Sequence, residues 1–196
     1  MSSVNFQSKE KLHPLHSAAI DGKTKTVSSL IRAGVDPSIR GLRGNTPLHY
    51  ACRKGNLKTV RELIRLGAKL NSRDDVGLTP LCIALKYSRF DVVHALIAAG
   101  ANPHIPLCNG VDKDDYPLLF AARHGYFDLV QILLESGVSP NIQDNQGQTP
   151  LHLCDYVDIS DLLLDYGADN LIEDNYGNLP LRLSSVWRLP IHSPCY

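Results

Sequence analysis

Apolar residues recur along this chain in short bursts at i, i+3, i+4, the spacing that puts them on one face of a helix. Leu15, Ala18 and Ala19 make the first such stripe. Leu48, Ala51 and Cys52, then Leu81, Ala84 and Leu85, then Leu118, Ala121 and Ala122 repeat it. Their small residues allow a neighbouring helix to approach closely. A second, more branched stripe follows each one: Val27, Leu30, Ile31; Val60, Leu63, Ile64; Val93, Leu96, Ile97; and Val130, Leu133, Leu134. The pattern predicts pairs of short helices. A proline heads each first helix, where its missing N–H goes unused anyway.

Glycines mark where these helices stop. Gly22, Gly55 and Gly125 stand eight residues after the proline, and the third unit has Ser88 there instead. A left-handed stop at that point suits glycine and strains serine by about 1 kcal/mol. Each second helix runs into Gly34, Gly67, Gly100, Gly137 or Gly167. A short extended segment then leads to a turn: Leu42-Arg43-Gly44-Asn45, Asp75-Val76-Gly77, Asn145-Gln146-Gly147 or Asn175-Tyr176-Gly177. Asp or Asn so close to Gly favours tight turns.

Aligned on Pro14, Pro47, Pro80, Pro117, Pro150 and Pro180, the units are spaced by 33, 33, 37, 33 and 30 residues. This period, with the stretch Thr46-Pro47-Leu48-His49-Tyr50-Ala51, resembles the ankyrin repeat. The resemblance implies an all-α solenoid of stacked antiparallel helix pairs with projecting, β-hairpin-like fingers. About five full repeats fall near 12–43, 44–76, 77–113, 114–146 and 147–176. A polar lead-in occupies 1–11, and a partial sixth repeat with a tail occupies 177–196. No single unit can bury its stripe alone, so neighbours complete each other's core.

Two intervals break the period. The longer one adds four residues to the finger within Pro106 to Asp115. The shorter one removes the glycine turn from the fifth unit, so its first helix is short and turns at Asp155 to Asp158, with Asp158 at the helix cap. In the sixth unit Pro190 and Pro194 exclude a second helix of normal length. The apolar residues Leu179, Leu181, Leu183, Val186, Trp187, Leu189 and Ile191 form an irregular cap, a docking tail or the stub of a longer chain.

Charge narrows the function. Lys+Arg and Asp+Glu both number 20, so only a local patch could act electrostatically. No apolar run approaches a bilayer span, and the polar start lacks the apolar centre of a signal peptide. Five cysteines form an odd count with no framework spacing. Together these features point to a monomeric protein of the cytoplasm or nucleus.

Candidate chemistry is sparse. His16, His49 and His152 occupy one position in separate repeats, which speaks against a shared metal. In the family this histidine bonds locally and across repeats, with the preceding threonine as partner; Thr46, Thr79 and Thr149 stand there. His13, Tyr116 and Leu179 replace the threonine elsewhere, and Cys82, Leu119 and Arg182 replace the histidine. His104, Cys108 and Asp112 lack zinc-type spacing. No phosphate loop, nucleophile elbow or HExxH motif occurs. Neither enzyme, cofactor, metal nor small-molecule substrate is expected.

The variable surface carries the function. In the ankyrin family partners often bind the finger tips and the exposed side of the first helices, a concave surface. By register that surface holds Arg40, Arg43 and Arg73 on the fingers. The helices contribute Arg53 and Lys54, Lys86 and Tyr87, and Arg123 and His124. A line of cations suits an acidic protein segment, since arginine can grip carboxylate or phosphate with two bonds. The acidic finger at Asp112 to Asp115 is expected beside it, where it would compete with or screen the site. The expectation is a non-catalytic adaptor or scaffold that binds a protein or peptide. The alternative is a substrate-recognition subunit of a ubiquitin ligase resembling the SOCS-box ankyrin type, although 181–190 is short for such a box. Nucleic acid is the least supported partner, for want of net charge and stacking platforms.

Overall fold

The fold is taken from a computed structural model, which describes residues 12–106 and 116–180. Among these residues there are ten α-helices and no strand. The long finger at 107–115, with Cys108, and the tail at 181–196, with Cys195, lie outside the described residues.

The chain divides into two compact units, Met1–Gly100 and Ala101–Tyr196. The first contains α1 (Pro14–Ile20), α2 (Thr24–Arg32), α3 (Pro47–Lys54), α4 (Leu57–Arg65), α5 (Pro80–Lys86) and α6 (Phe90–Ala98). Helices α1, α3 and α5 pack in series, as do α2, α4 and α6, and each pair packs internally. Leu15, Leu48, Leu63, Leu81, Leu85 and Leu96 are fully buried between them. Each first helix begins at its proline.

The stops behave as the glycines predict. Gly55 has φ 75° and Gly67 φ 84°, both left-handed. Ser88 adopts φ 52° at the position where its counterparts are glycine, so the chain accepts the strain there rather than change the turn.

The second unit contains α7 (Pro117–Arg123), α8 (Phe127–Glu135), α9 (Pro150–Leu153) and α10 (Val157–Asp165). Helix α9 has 4 residues, so the fifth repeat's first helix is indeed short. Asp158 is not its successor's cap. Tyr156 holds that position, and Asp158 sits second in α10 with its carboxylate accepting from the Ile159 N–H at 2.9 Å. Helix α10 starts early because Ile159 and Leu163 must reach the core, which draws Asp158 inside the first turn. An acidic residue there still favours the helix electrostatically.

Candidate functional site

Where a repeat keeps the motif histidine, that residue is a structural bolt. In His49 the Nδ1 atom accepts from the Thr46 N–H at 3.1 Å and lies 2.8 Å from Thr46 Oγ1. Its Nε2 lies 3.0 Å from the Leu78 carbonyl, in the next repeat. A carbonyl only accepts, so Nε2 carries the proton and the ring is neutral. His152 repeats the arrangement with Thr149 and the Asn178 carbonyl. His16 lacks the threonine: Nε2 reaches the Ile39 carbonyl at 3.0 Å, but its buried Nδ1 has no partner. At the substituted position, Thr79 Oγ1 lies 3.1 Å from Cys82 Sγ. Cys52, Cys82 and Cys154 are buried thiols, and burial pushes the Cys52 and Cys154 thiols up from their ordinary range.

The fingers are set by an aspartate that the turn motifs alone did not single out. Asp74 Oδ1 accepts from the Val76 and Leu78 N–H groups at 3.0 and 2.9 Å. Asp144 and Asp174 do the same in the second unit. The hydrogen bonds from Asn178 hold the Asp174 carboxyl below its usual range. The signal in the sequence was present: an Asp three residues before each finger glycine at Gly77, Gly147 and Gly177.

Seven of the nine residues expected at the surface belong to the first unit. Arg40 crosses between fingers: its guanidinium donates to the Arg73 carbonyl at 2.8 Å and pairs with Asp75 at 3.0 Å. Arg40 is thus partly committed to structure. Arg43 is exposed and left-handed at φ 56°, and its carbonyl accepts from the Asp75 N–H at 3.0 Å. Lys54, Arg73 and Lys86 are exposed.

Arg53 is held differently. Its guanidinium carbon lies 5.8 Å from the ring centre of Tyr50 and 5.8 Å from that of Tyr87. Both distances are within cation–π reach. Its Nε is buried without a hydrogen-bond partner. Tyr50 was missed by the sequence reading, although it stands one turn before Arg53 on α3. Its phenol donates to the Leu42 carbonyl at 3.4 Å, tying the stack to the first finger.

Arg123 and His124 belong to the second unit, where His124 joins an aromatic cluster. Its ring lies 4.3 Å from that of Phe120 and 5.8 Å from Tyr126, and Nδ1 is 2.8 Å from the Phe120 carbonyl.

Helix pairs, finger turns and histidine bolts recur in this way in both units, and the family model for ankyrin repeats (3 copies) matches residues 15–106 and 104–174. The chain belongs to the ankyrin repeat family. Ankyrin repeats are generally protein–protein interaction modules, and the fold is typically non-catalytic. The chain is similar to the ankyrin repeat domain of Bcl-3, a member of the IkappaB protein family. Identity is 27%, the match covers 87% of this chain and 76% of that one, and the TM-score is 0.74. It is also similar to a chain in the complex of the predatory endopeptidase Bd0816 from Bdellovibrio bacteriovorus with the immunity protein Bd3460. That match has 28% identity, covers 86% and 89% of the two chains, and has a TM-score of 0.73. No curated protein matches the chain. Among the described residues, no helix of these ankyrin repeats is long and apolar enough to cross a membrane. The segment that the SOCS-box resemblance would need, 181–190, lies outside the described residues.

Proposed function

We propose that this ankyrin repeat protein is a non-catalytic adaptor or scaffold whose first unit receives an acidic protein segment. The contact is made by Arg43, Arg53, Lys54 and Lys86, with Arg73 at the finger edge. The observation that carries the reading is the Arg53 guanidinium held between Tyr50 and Tyr87. A guanidinium fixed by two rings loses little freedom on binding, so its attraction for a carboxylate is not offset by ordering cost. The odd cysteine count and the buried thiols suit a monomer working in the cytoplasm or nucleus.

The test is an array of acidic peptides, each printed beside its Glu→Gln and Asp→Asn counterpart. The wild-type chain should prefer the acidic member of each pair, and the double variant Lys54→Glu, Lys86→Glu should lose that preference with its helicity intact. Equal retention of both peptide sets by wild type and variant would discard the reading.

A further inference from the structure

Within the two units, polar groups at three positions bond one repeat to the repeat that follows. At the first residue of the second helix, Thr24 Oγ1 lies 2.9 Å from Thr59 Oγ1. Four residues after the second-helix glycine, Ser38 Oγ accepts from the Lys69 N–H at 2.8 Å, and Asn141 bonds both the Gly167 carbonyl and the Asp169 N–H. Just before the finger glycine, the carbonyls of Arg43 and Gln146 accept from Asp75 and Asn175. In the last described repeat the same three positions hold Val157, Leu171 and Tyr176. These are 46%, 70% and 76% exposed.

At the first position earlier repeats also carry apolar residues, Leu57, Phe90 and Phe127, but at the second they carry Ser38, Asn71, His104 and Asn141, so Leu171 is the departure. Three exposed apolar side chains on this face suit an apolar occupant. Its charge is equally one-sided. From Asp155 to Asp174 the chain carries seven carboxylates and no Lys, Arg or His. Residues 181–196 have the opposite character: Arg182 and Arg188 with no Asp or Glu, and Leu181, Leu183, Val186, Trp187, Leu189 and Ile191. They follow directly on Pro180, which is buried at this end of the second unit.

We infer that residues 181–196 of the same chain cover this face, with their apolar side chains against Val157, Leu171 and Tyr176 and their arginines toward the acidic repeat. The tail then acts as the array's terminal cap, a role that otherwise falls to a polar outer repeat. The inference is independent of the acidic-partner reading, which concerns the first unit.

The chain contains a single tryptophan, Trp187, which makes the idea directly readable. In the dilute full-length chain, Trp187 emission should be blue-shifted from that of free tryptophan amide and protected from acrylamide, independently of protein concentration. Leu171→Asp and, separately, Tyr176→Asp should shift the emission to the red and remove the protection. Both sites are exposed, so far-UV circular dichroism should stay unchanged. Solvent-like Trp187 emission in the wild-type chain overturns the inference. So does protection that vanishes on dilution, which would assign the face to a second copy, and so does protection that survives both substitutions.

Discussion

Leu78 is gripped from two sides: its carbonyl accepts from His49 Nε2 at 3.0 Å and from the Asp74 N–H at 2.9 Å. The first bond comes from the preceding repeat and the second closes Leu78's own finger, so one buried oxygen fastens a repeat boundary to a turn. His49→Phe keeps the ring volume but orphans that approach to the carbonyl and leaves both Thr46 donors without Nδ1. Leaving buried polar groups unmatched costs about 1–3 kcal/mol, so urea denaturation should show a loss in that range.

Acidification should weaken the first unit before any carboxylate titrates. Burial pushes the His49 and His16 pKa values below the ordinary 6.5, with the Leu78 and Ile39 carbonyls pulling part of the way back. A histidine with a lowered folded-state pKa is protonated first in the unfolded chain. Its stabilising effect is complete above pH 6.5, falls as pH drops through 6.5, and levels off below the folded-state value. A second loss should follow at lower pH. Arg65 and Ser28 hold the Glu62 carboxyl down at about 2, so its contribution fades only between about 4.5 and 2. Melting temperature measured across this range should fall in two steps, and His16→Phe, His49→Phe should flatten the upper one.

Ser88→Gly should stabilise the chain. Ser88 sits at φ 52° where Gly22, Gly55 and Gly125 sit at 70°, 75° and 74°. A left-handed L-residue costs about 1–2 kcal/mol, and glycine's greater unfolded-state freedom returns about 0.5–1 kcal/mol. The net gain should be roughly 0.5–1 kcal/mol, visible as a higher melting temperature. The converse change, Gly67→Ala, meets no atom within 4 Å. Its cost should therefore be the backbone term alone, about 1 kcal/mol.

The three buried thiols give a labelling prediction. Cys52, Cys82 and Cys154 are at most 2% exposed, and a thiol must ionise at an accessible surface to react. The folded chain should shield these three from a thiol reagent, and denaturant should release all five cysteines of the sequence. Labelling of Cys52 in the folded state, read by peptide mass, would contradict its burial.

Periodicity made the repeats legible because each repeat restates the same local choices: proline to start, small residues to pack, glycine to stop. Ser88 could be assigned a left-handed turn by register alone, against its own preference. The boundary of α10 was less legible. Nothing local distinguishes Tyr156 from Asp158 as the cap, and the core demand of Ile159 and Leu163 decides it. At the candidate site, register placed Arg53, Lys54, Lys86 and Tyr87 on the first helices. It treated them as a row of equivalent charges. Arg53 instead lies between two rings, one on its own helix and one just past the end of α5. A one-dimensional register cannot express a contact that runs diagonally between repeats, and for the same reason Arg40 was counted without its partner Asp75.

The shared oxygen of Leu78 also makes a prediction about coupling. Asp74 orders the finger by accepting from Val76 and Leu78 with one carboxylate oxygen, and its charge raises the His49 pKa against the effect of burial. Asp74→Asn keeps the size and one acceptor oxygen but removes the charge. It should leave the fold intact and lower the His49 pKa further, read from the imidazole proton shifts in an NMR titration. Asp74→Ala removes the acceptor as well, so the carbonyl of Leu78 is no longer aimed at His49. The single losses for Asp74→Ala and His49→Phe would then count the same bond twice. A double-mutant cycle should show the pair costing less than the two single changes together, by about 0.5–3 kcal/mol. Strict additivity would mean that finger and bolt hold independently, and that the repeat boundary does not depend on the turn.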